Sequence, residues 1–306
     1  MNNYSVSAKN EILRNDLKLD CCKLSFLSAV VHTAGSVFFS TEGLRIEILC
    51  ESDALKERVC EIFAEFYGVI PTLSGTKHLL LSGAGVTEIL YDLMIFGLIG
   101  EETAVVSGIA DTLVEEEHCK TSYIKGAFLG SGSVSLKTGY HLEFTLSSAD
   151  MANDLSAILN YFGINSKIIT HNGKYVVYVK DNSSVSDCLA LMGATGAVLE
   201  LNNEVVLRDI RKQSNRINNC DYANINKTVN ASVRQVSDIR LLEKKLGLTS
   251  LNPKLREMAI ARVDNPDATF ADLAALLSIP KSTVKNRLNK LSEIAAQLKE
   301  KGENNG

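Results

Sequence analysis

Seven residues suited to nucleic-acid contact fall within ten positions near the end of the chain: Lys281, Ser282, Thr283, Lys285, Asn286, Arg287 and Lys290. Short hydroxyls and cations at the front of a helix suit phosphate oxygens. Asparagine and arginine have the donors and reach to read base edges in a major groove. Ile279, Val284 and Leu288 are interleaved with them at a spacing that turns these three toward a core. Just upstream, Thr269 can cap a helix carrying Phe270, Leu273, Ala274 and Leu277. Ala274 is the small residue expected where two helices cross, and Ser278 stands at a turn position often held by glycine. The pattern predicts a helix-turn-helix over about 268–301, with Thr269, Lys281, Ser282, Thr283, Lys285, Asn286, Arg287 and Lys290 as its double-stranded DNA contacts. A plain three-helix bundle with a solvated basic face would share the composition but not the turn spacing.

A second basic group lies earlier. Arg208, Arg211, Lys212 and Arg216 fall near one face of a helix, and Lys227 follows. These five are candidate auxiliary phosphate contacts, set against a solvated linker helix as the alternative. The net charge of −4 conceals a division: residues 204–306 carry +6 and residues 1–203 carry −10. An acidic body with a basic last third is the distribution expected if only that third meets nucleic acid.

Other candidates are poorer. The histidines at 32, 78, 118, 141 and 171 show no ligand spacing, and Glu115–Cys119, whose side chains have metal-binding chemistry, reads as a solvated turn. Ser131 has no base placed beside it, and Gly83-Ala84-Gly85 lacks the lysine of a phosphate-binding loop. No catalytic residue, metal or cofactor is expected. The seven cysteines form no C-x-x-C pair and read as reduced thiols of a cytoplasmic protein. No apolar run approaches the length of a membrane span, and the first residues lack the apolar centre of a signal peptide.

The elements that would carry these residues fall into a repeat. Tyr123–Val134, YIKGAFLGSGSV, reads as a helix running into a strand, with Gly126 and Gly130 on one face where another backbone must come close. Phe26–Val37, FLSAVVHTAGSV, matches it 97 residues earlier. Around each copy the pattern reads α-β-β-α-β-β-α, over about 20–97 and 120–193. A helix at 7–19 capped by Ser7 precedes the first copy, and 98–120 links the two. Turns are expected at Thr41-Glu42-Gly43, Thr138-Gly139 and Asn172-Gly173. Matched landmarks include Gly35 with Gly132, Glu47 with Glu143, Gly68 with Gly163 and Gly97 with Gly193, the first helix at about 86–96 ending at Gly97. Such self-similarity marks an internal duplication. Residues 202–246 read as two helices broken near Asn218–Asp221, and three helices follow from Pro253.

This duplicated unit resembles the LAGLIDADG homing-endonuclease fold. In that family the paired helices meet at a pseudo-twofold axis, and acidic residues before the terminal glycine hold the metals that cut DNA. Here those places are Ala34 and Ser131, and the earlier acidic positions are His32 and Leu129. The resemblance therefore implies an inherited scaffold without cleavage. An active endonuclease or maturase is the alternative that Ala34 and Ser131 disfavour; a regulator holding a small ligand between the repeats is another. With the helix-turn-helix and the stretch Asp221–Ile239, the whole chain resembles the WhiA family of DNA-binding proteins of Gram-positive bacteria. The resemblance implies a role in cell division and chromosome segregation and regulation of sporulation-type genes. The acidic charge of residues 1–203 argues for a duplicated domain that touches DNA only weakly or binds a protein partner, and a DNA-binding chain is expected to associate with the nucleoid. The expected class is α+β: a LAGLIDADG-like domain at 1–200, a basic helical linker at 201–250 and an all-α helix-turn-helix domain at 251–306.

Overall fold

A computed structural model describes residues 3–40, 43–83, 85–99, 102–136 and 139–303. The turn positions Thr41, Glu42 and Thr138, and Ala84, lie outside them. The chain divides into two compact units, residues 1–208 and 209–306.

The first unit begins with α1 (Asn3–Arg14) and then holds two copies of one arrangement. The first copy is α2 (Asp20–Ala34), β1 (Gly35–Ser40), β2 (Gly43–Leu49), α3 (Asp53–Tyr67), β3 (Thr72–Ser74), β4 (His78–Ser82) and α4 (Val86–Asp92). A hairpin, β5 (Phe96–Ile99) and β6 (Glu102–Val105), comes between the copies. The second copy is α5 (Glu117–Ser131), β7 (Gly132–Ser135), β8 (His141–Leu146), α6 (Ala149–Tyr161), β9 (Lys167–His171), β10 (Lys174–Val179) and α7 (Asn182–Met192). Both sheets are antiparallel with the same order, β1-β2-β4-β3 and β7-β8-β10-β9.

The α2 and α5 helices pack on each other at the centre of the repeat, and each is buried on most sides. Cys22, Phe26, Leu27, Ala29, Val30 and Val31 are buried in α2, and Cys119, Tyr123, Ile124, Gly126, Ala127 and Phe128 take the same places in α5. The glycines there mark a close approach: a Cβ on Gly126 would fall on the Phe26 carbonyl and lie 2.8 Å from the Ala29 methyl. Gly35 and Gly132 end the two helices with φ of −89° and −83°, so left-handed freedom is not what they supply. The chain turns directly into a strand, and a side chain on either glycine would strike the backbone of Val31 or Phe128 four residues back.

Three local readings are corrected. Ser7 is not a helix cap; α1 is already helical at Asn3, because Tyr4, Ala8 and Ile12 recur at four-residue spacing and are all buried. The helix α4 ends at Asp92, not near Gly97, and Phe96-Gly97 belongs to a strand. Its left-handed terminal residue is Met94 (φ 54°), with Met94 N–H donating to Tyr91 O and Ile95 N–H to Leu90 O. Gly193 (φ 84°) and Ala194 make the same pair of bonds to Ala190 and Leu189, so Met94, not Gly97, is the partner of Gly193 in the repeat.

The third correction is α8, a single helix over Thr195–Leu246 with no break near Asn218–Asp221. Asparagine costs a helix only a few tenths of a kcal/mol, roughly 0.7 at most, and no glycine or proline falls between residues 202 and 246. In the second unit the end of α8 carries Ile239 and Leu242 into a small core with α9 (Pro253–Asp264), α10 (Phe270–Leu276) and α11 (Lys281–Glu303). Met258, Ala259, Leu273, Val284, Leu288 and Leu291 complete it. Among the described residues no helix is long and apolar enough to cross a membrane.

Candidate nucleic-acid interface

The turn between α10 and α11 is built by main-chain bonds. Ser278 is left-handed (φ 51°), its N–H donates to Ala275 O, and Ile279 N–H donates to Ala274 O. Pro280 O accepts from Thr283 and Val284 and starts the next helix. Val284 and Leu288 are buried, which fixes the rotation of α11 and leaves Lys281, Ser282, Lys285, Asn286 and Lys290 exposed. Thr283 and Arg287 are half-buried. Arg287 donates to Lys254 O and the Glu257 carboxylate, both at 3.3 Å, tying α11 to α9. Lys290 pairs with Glu293 at 2.9 Å on the surface, a contact of little energetic weight.

Thr269 is the N-cap of α10, and its hydroxyl and N–H both meet the Asp272 carboxylate in a reciprocal capping box. The Thr269 N–H and hydroxyl hold the Asp272 carboxyl below its ordinary range. Arg262 of α9 is nearly fully buried. Its guanidinium donates to Ala268 O at 2.6 Å and lies over the Phe270 ring, fixing the loop that leads to Thr269. Burial pushes its pKa down.

The auxiliary residues separate. Lys227 of α8 lines a cleft of about 460 Å³ together with Thr269, Lys281 and Arg262, so it joins the helix-turn-helix group. Arg211, Lys212 and Arg216 are exposed on the preceding turns of α8. Arg208 belongs to the first unit: it pairs with Glu204 at 2.9 Å, donates to Leu136 O and lies over the Tyr140 ring.

Family models match both parts of the chain: the WhiA LAGLIDADG-like domain over residues 23–81 and 120–211, and the WhiA C-terminal HTH domain over 214–295. The chain belongs to the WhiA family. A protein of Clostridium botulinum (strain Eklund 17B / Type B), "Probable cell division protein WhiA", is 34% identical over 313 residues, covering 97% of this chain and 98% of its own length. A protein of the same name from Alkaliphilus metalliredigens is 34% identical over 307 residues, covering 95% and 97%. The crystal structure of full-length DUF199/WhiA from Thermotoga maritima aligns with a TM-score of 0.53 at 20% identity, covering 96% of this chain and 98% of that one. That likeness bears on the fold, which is the duplicated LAGLIDADG-like domain followed by a helical region.

In this WhiA-family chain the ends of the paired helices carry no carboxylate. Ala34 has no polar side chain, and the Ser131 hydroxyl donates back to Ala127 O at 3.3 Å. The Lys9 ammonium donates to Leu129 O at 3.2 Å, placing a positive charge beside the α5 end. His32, at the earlier acidic position, is half-buried between the helices: its Nδ1 lies 3.0 Å from the Tyr123 hydroxyl and 3.3 Å from Ser28 Oγ. Burial pushes its pKa down to about 4, so the ring is neutral near pH 7. Its Nε2 is buried without a partner among the described residues.

Spacing alone leaves one pairing unseen, that of Glu115–Cys119 with Cys21-Cys22. Glu115–Cys119 is not a solvated turn throughout: α5 starts at Glu117, and Cys119 is buried in its first turn. There His118 and Cys119 meet Cys21 and Cys22 from the first turn of α2, with the four ligand atoms within 4.8 Å of one another. The signal was present, since the 97-residue offset of the repeat lays Cys21-Cys22 on His118-Cys119.

Proposed function

We propose that this chain is a non-enzymatic DNA-binding protein of cell division and chromosome segregation, and that its helix-turn-helix supplies most of the affinity for double-stranded DNA. The observation that carries the reading is the front of α11, where Lys281, Ser282, Lys285 and Asn286 are exposed on a helix anchored by Val284 and Leu288. Lys227, across the cleft from Lys281, extends the same cationic surface. The name carried by the curated relatives supports the cellular process. Control of sporulation-type genes and association with the nucleoid would follow from the same contacts.

In this reading the duplicated domain acts as a docking body for a protein. Each sheet carries a central carboxylate beside an imidazole, Glu47 with His78 at 3.7 Å and Glu143 with His141 at 2.7 Å. Those carboxylates and the acidic charge of residues 1–203 oppose a phosphate backbone. With Ala34 and Ser131 in those places, neither helix end offers Mg²⁺ a carboxylate ligand.

Anisotropy titration of the full chain with duplex DNA at several salt concentrations tests the proposal. Lys281→Ala/Lys285→Ala is expected to weaken binding and to lower the log–log salt slope by about 0.9 for each lost phosphate contact. An unchanged slope in that variant, with a reduced slope in Arg216→Ala/Lys227→Ala, would move the main contact to α8 and refute it.

A further inference from the structure

The first turns of α2 and α5 start side by side, and each contributes two adjacent ligand-bearing residues. His118 Nδ1 lies 3.2 Å from Cys119 Sγ, 3.3 Å from Cys22 Sγ and 3.9 Å from Cys21 Sγ. With metal–sulfur bonds near 2.3 Å and metal–nitrogen bonds near 2.05 Å, a tetrahedral centre sets sulfur and nitrogen about 3.6 Å apart. The three observed separations bracket that value. Cys22 and Cys119 are buried, while Cys21 and His118 are exposed. Two ligands thus face the protein and two close the centre from the solvent side, so an ion could enter without unfolding.

We propose that Cys21, Cys22, His118 and Cys119 form a Zn²⁺ site that staples the starts of the two central helices. Three thiolates and one imidazole are a donor set for zinc, and thiolate-rich sets select against the hard cations Mg²⁺ and Ca²⁺. Three thiolates around a dication leave about one net negative charge, placed at two helix N-termini that each carry roughly half a positive charge. The second ring nitrogen of His118 is left to fix the ring from outside, as in other zinc-bound imidazoles. Closure at this point would join residues far apart in sequence, the positions where a crosslink restrains the unfolded chain most. The inference concerns the first unit alone and stands apart from how the second unit meets DNA.

The test uses full-length protein purified without chelator, with metal content measured by inductively coupled plasma mass spectrometry. One zinc per chain is expected to survive gel filtration, and Cys22→Ser/Cys119→Ser is expected to lose it while Cys220→Ser, at an exposed cysteine of α8, retains it. Exchange with Co²⁺ in the unaltered protein should give the intense visible bands of a tetrahedral thiolate centre, a readout independent of whether the double variant folds. No zinc above a chelator-washed control after stoichiometric loading, or zinc retained equally by Cys22→Ser/Cys119→Ser, would overturn the proposal. So would a disulfide from Cys119 to Cys21 or Cys22 in the protein as purified.

Discussion

Gly126→Ala adds one methyl group where α5 crosses α2. The new carbon would fall on the Phe26 carbonyl and sit 2.8 Å from the Ala29 methyl. Carbon atoms prefer about 3.5–4.0 Å, so the two helices must separate by roughly 1 Å at the crossing. The obstacle is backbone, which cannot rotate away, and α2 is buried on the sides into which it would move. Overpacking of this kind costs about 1–3 kcal/mol, and the better helix propensity of alanine returns about 1 kcal/mol. Because the clash is with backbone, the upper part of that range applies, about 2–3 kcal/mol, and the expected net loss is about 1–2 kcal/mol.

Gly130→Ala is the internal comparison. Its methyl group meets the Thr33 hydroxyl, which can change rotamer by giving up its bond to Ala29 O, and then lies 3.2 Å from Thr33 Cβ and 3.3 Å from the Ala34 methyl, distances a small shift relieves. Its net effect should be near zero. Urea unfolding followed by circular dichroism measures both variants, and hydrogen exchange in residues 20–34 and 117–131 assigns the transition to the first unit. A Gly126→Ala protein as stable as the parent, or a Gly130→Ala protein more damaged than it, would refute the close-approach argument.

Two further outcomes follow from the helix pair. His32 is held neutral with its pKa pushed down to about 4, against an ordinary 6.5. Above pH 6.5 the ring is neutral in both states and adds no pH dependence. As pH falls from there toward 4 the unfolded chain takes up a proton that the folded chain does not, so stability declines by about 3 kcal/mol across the window. Denaturation measured across that window should be flatter in His32→Gln; an equal slope in both proteins would exclude His32 as its source. Supercoiled plasmid incubated with the protein and Mg²⁺ should remain uncut, because Ala34 and Ser131 offer no carboxylate at the helix ends. Metal-dependent nicking that persists after Lys281→Ala/Lys285→Ala would contradict that reasoning.

The repeat was legible because the same steric demand recurs at corresponding points. Gly35 and Gly132 must clear the turn behind them, and Ala29 and Gly126 must let two backbones approach. Residue type alone announces such demands. Left-handed positions were announced less well: Gly68 and Gly193 could be read, but Met94 and Ser278 occupy the same conformation with ordinary side chains. A helix terminus held by two main-chain bonds tolerates the cost, roughly 1 kcal/mol, so glycine is favoured there and not required. Spacing therefore carries the end of α4 past Asp92 to Gly97 and hides the β5-β6 hairpin in a helix and a link. The false break in α8 has the opposite cause, a run of asparagines given more weight than their propensity carries.

The candidate interface shows where sequence reading reaches its physical limit. Spacing places a side chain on a face, and that held for Lys281, Ser282, Lys285 and Asn286. Spacing does not report what a long side chain reaches once the chain has folded. Arg208 turns back to Glu204 and Leu136, and Arg287 to Lys254 and Glu257, although both stand in basic runs. A guanidinium on such a stem covers several ångströms and is drawn to its own protein's carboxylates and carbonyls. The cysteine–histidine cluster is the same limit seen from the other side. Its two halves are trivial as local sequence, and they become a four-ligand set only when the repeat offset is turned into contact between two helix ends. A duplicated fold thus supplies a way to look for sites: superpose the copies first, then ask which reactive side chains share a position.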